Sequence, residues 1–278
     1  MALLGAAAES LFATVFPSDC RLCSVPLTNI SRLPVCESCI RAIQPMDGLV
    51  CGLCGERLTS RHCVSLADGI ARCGNCEREA PPFAKAVAYG SYEAGLRELI
   101  HLLKYEQVRP AANVLGRMLG DVISSLTLLF EDRSPIIVPI PLHASKLRQR
   151  GFNQSELIAR AALKHRALCE LRVNVSALER CQATESQTGL TRAQRHENIR
   201  GAFHLHRPEQ IAGRAVVLVD DVFTTGTTVS ECARVLYRAG AATIWVATVA
   251  RVLKSDATLG LDPDEEVIEG AHVLAAGA

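Results

Sequence analysis

Aromatic residues are scarce in this chain of 278 residues: one Trp, four Tyr and seven Phe, or 4%. A protein with so few rings has little from which to build a stacking platform for nucleic-acid bases, and its one Trp, Trp245, lies in an apolar, strand-like segment. Excess charge is lacking too, since 30 Lys and Arg against 29 Asp and Glu leave +1. That excludes the bulk cationic character behind non-specific nucleic-acid binding. No apolar run approaches the ~20 residues of a membrane-spanning helix, so no membrane insertion is expected. The apolar stretch 1–16 has no Lys or Arg ahead of it, which argues against a secretory signal, and a cytoplasmic location is expected. Nor does Gly-Lys-[Ser/Thr] occur anywhere, which excludes a Walker loop. What remains is ordinary globular composition, 49% hydrophobic and 21% charged. The length suits about two domains at roughly 150 residues each.

Cysteine is abundant and unevenly placed. Nine of the twelve precede residue 80, and eight of those form Cys-x-x-Cys pairs: Cys20/Cys23, Cys36/Cys39, Cys51/Cys54 and Cys73/Cys76. In a reducing compartment thiols bind metal more often than they form disulfides. A two-residue gap lets both sulfurs of a tight turn face one ion, and two such turns complete the closed tetrahedral site of structural zinc. Twelve residues separate the first two pairs and eighteen the last two. Two Zn²⁺ sites are expected, with sequential pairing preferred because it closes shorter loops, while an interleaved arrangement stays open. Cys63, beside His62, is read as a bystander. The first 80 residues carry seven Arg, no Lys and eight acids. Four thiolates per divalent ion add further negative charge, which weakens a phosphate-binding role for this module. Its expected part is scaffolding by a segment that needs metal because it cannot build a core.

Charge shifts along the chain. From His143 to Arg200 there are eleven Lys and Arg against five acids, and after Lys254 there are six acids and no base. A basic middle suggests an anionic ligand bound locally. Three regions are expected: 1–80 with the double zinc ribbon, 84–254 as a second domain after the linker Glu79–Phe83, and an acidic, unstructured tail over 255–278. In the second domain Ala84–Tyr92, Pro135–Leu142, Leu171–Leu178, Ala215–Asp221 and Thr243–Arg251 read as strands. Helical spacing marks 96–103, 115–126, Ser155–Leu168 and Val229–Ala239. Apolar strands alternating with amphipathic helices predict an α/β fold with a mainly parallel sheet covered on both faces.

The densest chemistry lies at one strand end. Val216–Val219 is followed by Asp220-Asp221 and then by Thr224-Thr225-Gly226-Thr227-Thr228 at the start of a helix. Ligands of open parallel sheets bind outside the carboxyl ends of the strands. Loop N–H groups, Thr hydroxyls and a positive helix end form a phosphate cradle, and adjacent acids can accept hydrogen bonds from sugar hydroxyls. A ribose 5-phosphate fits that combination.

These residues resemble the phosphoribosyl-pyrophosphate signature of type I phosphoribosyltransferases. Val138-Pro139-Ile140-Pro141-Leu142-His143, Arg150-Gly151-Phe152-Asn153-Gln154, Ser186-Gln187, Arg195-x-x-Asn198 and Leu102-Leu103-Lys104-Tyr105 extend the similarity to the ComF family, also called GntX-like, from about Cys20 to Arg251. The family also carries an N-terminal zinc ribbon, and the eight paired cysteines fit its double-ribbon variant. The resemblance implies that Asp220 and Asp221 hold the ribose hydroxyls of phosphoribosyl pyrophosphate (PRPP) and that Thr224, Thr225, Gly226, Thr227 and Thr228 wrap its 5′-phosphate. It further implies a pyrophosphate loop at Pro139, Ile140, Pro141, Leu142 and His143, with Lys104, Arg148 and Arg150 as neighbouring cations. The polar segment Thr184–Asn198, with Arg192 and Arg195, stands where a mobile loop closes over the site. The implied chemistry is Mg²⁺-dependent displacement of pyrophosphate from ribose C1 by an acceptor that no motif identifies. Two other functions compete: a PRPP or nucleotide sensor without catalysis, and a cytoplasmic adaptor for single-stranded DNA or competence proteins in transformation.

Overall fold

The structure is a computed structural model, and it describes residues 19–27, 32–58, 69–130, 133–164, 168, 170–182 and 198–253. Cys63 with His62, the segment with Ser186, Gln187, Arg192 and Arg195, and the acidic tail lie outside the described residues.

Five parallel strands form the central sheet. In chain order they are β1 (Lys85–Ser91), β2 (Ile136–Pro139), β3 (Arg172–Val173), β6 (Ala215–Phe223) and β7 (Thr243–Arg251). Their spatial order is β1-β7-β6-β2-β3. A separate antiparallel pair joins β4 (Leu178–Arg180) to β5 (Phe203–Leu205). The helices of the domain are α3 (Ala94–Lys104), α4 (Ala111–Leu126), α5 (Ala144–Arg150), α6 (Gln154–Ala162) and α7 (Thr227–Arg238). Two one-turn helices, α1 (Glu37–Arg41) and α2 (Gly74–Arg78), belong to the cysteine-rich region.

The expected parallel α/β architecture is thus present, and alternation along β6 shows why it needs two covers. Val217 and Val219 pack into the cluster that holds Leu99, Leu115, Leu119 and Ile158 of α3, α4 and α6. Val216 and Leu218 face Val229, Ala233 and Leu236 of α7 together with Leu178 and Phe203. A strand buried on both faces reads as a continuous apolar run. Each fully buried Leu contributes about 1.5–3 kcal/mol by leaving water.

Several boundaries differ from expectation, among them β2, which covers Ile136–Pro139 instead of Pro135–Leu142, and three others bear on the site. The segment Leu171–Leu178 is two strands in two sheets, because Asn174 turns the chain between them: its Oδ1 accepts from the Ser176 N–H at 3.1 Å. Helix α6 ends at Ala162 instead of Leu168, with Leu163 as its C-cap. Strand β6 continues past the acid pair to Phe223, with Asp220 opposite Thr248 and Val222 opposite Ala250.

The cysteine-rich region packs onto the sheet domain as two separate knots. Cys20, Leu33 and Val35 join the larger core beside Tyr92 and Leu96, and the Met46 N–H donates to Tyr89 O at 2.6 Å. The second knot keeps a small cluster of its own around Cys51, Cys54, Leu58, Cys73 and Cys76. It meets β1 where the Ala86 N–H donates to Leu53 O at 2.7 Å.

Helices α4 and α6 approach closely at Gly116, where an added Cβ would lie 2.4 Å from Ala161 Cβ and 3.0 Å from the backbone of α6. Gly116→Val is therefore expected to lower stability by about 1–3 kcal/mol, the usual range for overpacking a tight interior. Urea unfolding tests this, and an unchanged midpoint would mean that the two helices separate freely.

Candidate functional site at the sheet switch point

Strand order identifies the crevice before any side chain is considered. From β2 the chain crosses outward to β3 through α5 and α6, whereas from β6 it crosses the other way to β7 through α7. Neighbours β2 and β6 are therefore the strands where the winding direction reverses, the place where open α/β sheets bind ligands. The loops that leave them are Pro139–His143 and Thr224–Thr228, so the two segments singled out by sequence flank one crevice.

On the β2 side the Ile140 N–H continues the ladder to Val219 O at 2.9 Å, and its carbonyl accepts from Asn153 Nδ2 at 3.0 Å. His143 caps α5, its Nδ1 accepting from the Ser145 N–H at 3.3 Å. Arg148 is exposed on the same helix. Arg150 donates to Gln154 Oε1 at 2.6 Å and lies 5.7 Å from the Tyr105 ring centroid.

On the β6 side, Gly226 occupies the left-handed region at φ +75° and serves as N-cap of α7. The first N–H groups of a helix lack intrahelical partners, and here they open toward a bend of hydroxylated residues. Thr225 Oγ1 and Thr227 Oγ1 lie 2.7 Å apart and can present both hydroxyls to a single oxyanion. Thr224, Thr225 and Thr228 keep some exposure, while Gly226 and Thr227 are buried.

The two acids behave differently because they sit within a paired strand, where successive side chains point to opposite faces. Asp221 is buried, and Lys104 Nζ of α3 stands 2.8 Å from its Oδ2, with both side chains less than a tenth exposed. Lys104, expected among the cations facing a leaving group, is thus committed to Asp221. Asp220 keeps partial exposure, and its Oδ1 accepts from Ser155 Oγ at 2.9 Å and from the Asp221 N–H at 3.0 Å. Burial, aided by the charge of Asp221, pushes the Asp220 carboxyl up to about 8, against the opposing pull of Lys104, Ser155 and the Asp221 N–H. Ser155 was not singled out from sequence. Its only local signal is an Asn-x-Ser cap, because the partner lies 65 positions away.

The cysteines gather into two groups of four, Cys20/Cys23/Cys36/Cys39 and Cys51/Cys54/Cys73/Cys76, with all Sγ atoms of a group within 4.8 Å of one another. Sequential pairing is the arrangement present. Cys23 and Cys36 Sγ lie 3.7 Å apart, as do Cys54 and Cys73 Sγ. That is far beyond a disulfide bond, and it matches the sulfur spacing of about 3.8 Å in a tetrahedron with metal–sulfur bonds of about 2.3 Å. The donor set therefore fits a thiophilic divalent ion. The Ser38 hydroxyl and the Cys39 N–H draw the Cys36 thiol down to about 6, while the Cys36 and Cys23 sulfurs push the Cys39 thiol up. The first group is partly open to solvent and the second is buried. No other group of three or more His, Cys, Asp or Glu side chains converges in this way among the described residues.

Between the second group and the Thr225–Thr227 bend lies a cleft of about 430 Å³, walled by Pro81, Pro82, Phe83 and Phe223 and edged by Glu56 and Arg234. Phe83 and Phe223 meet edge to face at 6.3 Å between centroids. No helix among the described residues is long and apolar enough to cross a membrane.

A parallel sheet with this crevice is the architecture of a phosphoribosyltransferase domain, and the model of that family, described as "Phosphoribosyl transferase domain", matches residues 167–270. The chain is 35% identical over 238 residues to "DNA utilization protein YhgH" of Escherichia coli O6:H1, covering 85% of this chain and 98% of that protein. It is 29% identical over 227 residues to "Competence protein F" of Haemophilus influenzae, covering 80% of this chain and 93% of the other. With "Competence protein ComFC" of Bacillus subtilis the identity is 26% over 214 residues, 75% of this chain and 80% of that one. The chain belongs to the ComF-like family, with a type I phosphoribosyltransferase domain behind a cysteine-rich N-terminal region.

Two predictions follow from the acid pair. Lys104→Met leaves Asp221 buried without its cation and is expected to reduce stability by about 3–5 kcal/mol, most of it recovered in the double variant with Asp221→Leu. Chemical denaturation of the three forms checks this, and a single variant as stable as the parent would refute the ion pair. For Asp220 the folded state keeps its proton up to about pH 8, while the unfolded carboxyl loses it near its ordinary value of 3.8. Folding then binds an extra proton between those values, so this group's contribution to stability falls as pH rises from about 4 to 8 and is level on either side. Asp220→Asn removes that slope, so the variant should gain on the parent between pH 5 and 8.5 in the same measurement; parallel curves would refute the shift.

Proposed function

We propose that the crevice between β2 and β6 binds PRPP with Mg²⁺ and that the protein transfers its phosphoribosyl group to an acceptor. The observation that carries this is the convergence of a threonine-lined helix start, a partly exposed carboxyl and a second strand-end loop at the switch point of the sheet. On this reading the 5′-phosphate sits in the bend Thr224–Thr228, held by N–H groups of α7 and by the Thr225 and Thr227 hydroxyls. The Asp220 carboxyl, oriented by Ser155, hydrogen-bonds the ribose hydroxyls. Asp221, its carboxylate fixed by Lys104, supports Asp220 from the buried face of the strand. The pyrophosphate takes the N–H groups of Leu142 and His143, since Pro139 and Pro141 have none and the Ile140 N–H is held by Val219 O, with Arg148 and Arg150 as nearby cations and Arg192 and Arg195 assigned to the site by sequence alone.

The described residues bring no trio of carboxylates together, so Mg²⁺ is assigned chiefly to the oxygens of the substrate, where it would neutralise charge on the departing pyrophosphate. The chain's own residues act by positioning and electrostatics: the bend and the β2 loop hold the two phosphate ends apart and orient C1 toward the incoming nucleophile. No side chain among the described residues is assigned as general base. The two cysteine groups are proposed as Zn²⁺ sites that fold the N-terminal region.

The relatives are named for DNA utilization and competence, which favours a second reading in which this protein handles single-stranded DNA or a competence partner through its basic middle segment. PRPP with Mg²⁺ is expected to raise the melting temperature of the parent by several degrees, and Asp220→Asn should abolish the shift. No shift with the parent refutes the PRPP reading, and a salt-dependent gel shift with single strands that survives Asp220→Asn supports the second. Elemental analysis should return two zinc ions per chain; one or none refutes the paired metal sites.

A further inference from the structure

We propose that Arg251 is a positioning residue through which metal in the second cysteine group sets the shape of the phosphate bend, so that PRPP binding and metal retention at Cys51/Cys54/Cys73/Cys76 are coupled. This rests on the phosphate-binding role proposed above for residues 224–228.

Arg251 is the last residue of β7 and is 4% exposed. Its guanidinium reaches out of the sheet domain into the second knot. Nη1 donates to Cys54 O at 2.6 Å, Nη2 donates to Glu56 Oε2 at 2.8 Å, and Nη2 also lies 3.7 Å from Cys54 Sγ. All three acceptors belong to the first knuckle of that metal group, so their positions depend on the knuckle staying closed. A rigid fork suits such an array better than a point charge does.

The guanidinium also lies over the Phe223 ring, 4.4 Å from its centroid. Phe223 ends β6, and its ring tip fills the space beside Gly226, where an added Cβ would fall 2.6 Å from Cζ and 3.0 Å from Cε1. Gly226 in turn holds the left-handed turn at the centre of the bend. Three tight contacts therefore run from a thiol of the proposed metal group to the phosphate cradle: Cys54 to Arg251, Arg251 to Phe223, and Phe223 to Gly226. Cys54, Glu56, Phe223, Gly226 and Arg251 all border the same cleft, so this relay forms a wall of it.

The physical consequence is linkage. Loss of the metal lets the knuckle relax, frees the guanidinium from its three acceptors, and removes the plate that presses Phe223 against Gly226. Coupling of two binding events is reciprocal, so phosphate ligand on the bend must tighten metal retention by the factor by which metal tightens the ligand. An Arg251 that merely clamps the two parts together would affect stability but would leave metal release indifferent to PRPP.

The test uses the full chain loaded with zinc. Calorimetry gives the affinity for PRPP with Mg²⁺, and a chromogenic chelator gives the rate of zinc release with and without PRPP. In the parent, PRPP should slow release of one of the two ions several-fold. Arg251→Lys keeps the charge and loses the fork, so it should weaken PRPP binding several-fold and make release insensitive to PRPP. Phe223→Leu leaves the metal ligands and Arg251 in place; it should still bind two zinc ions and show the same loss of coupling, even if Arg251→Lys folds poorly. A parent that binds PRPP but releases both ions at unchanged rates overturns the coupling and leaves the proposed function intact. A parent that does not bind PRPP overturns both.

Discussion

Two adjacent carboxylates in a strand still paired to β7 are an electrostatic problem, and the Lys104–Asp221 ion pair is the answer around which the crevice is built. Burying an unpaired charge is prohibitive, so Asp221 needs a cation at contact distance, supplied from the last turn of α3. With that position neutralised, Asp220 can remain at the mouth of the crevice, bonded to Ser155 and holding its proton through neutral pH. The same pair fixes α3 against β6, and with it the face on which α4 and α6 pack.

The cysteine-rich region solves a different problem. Its large apolar residues are few, and the second knot buries little beyond its own thiols, Leu58, Leu53 and Ala71. Groups of four sulfurs replace a core. The two knots are attached unequally. The first merges with the main core through Leu33 and Val35, and the second is held by strand-edge hydrogen bonds and by Arg251. The second therefore sits beside the phosphate bend as a semi-independent body, with a cleft between them.

Periodicity made the sheet legible, because strands buried on both faces leave uninterrupted apolar runs. Strand β7 is found where the sequence places it, Thr243–Arg251. Short strands were not legible. Arg172–Val173 and Leu178–Arg180 merge into one run on paper, and only the Asn174 turn separates them. The different fates of Asp220 and Asp221 were also hidden. In sequence they are equivalent neighbours, and the extent of pairing along β6 decides which one meets Lys104 and which one meets the crevice.

Local chemistry is written in the chain itself: four thiol pairs whose two-residue gaps turn both sulfurs one way, and a threonine bend at a helix start behind an apolar strand. These are short-range facts, dictated by backbone geometry within a few residues. Tertiary structure alone decided the long-range ones. The winding reversal at β2 and β6 put two distant loops on one crevice, strand alternation sent Lys104 to Asp221, and the reach of one guanidinium from β7 joined a cysteine knot to the phosphate bend. Such contacts join residues scores of positions apart, and only packing selects them from the many pairings that composition would allow.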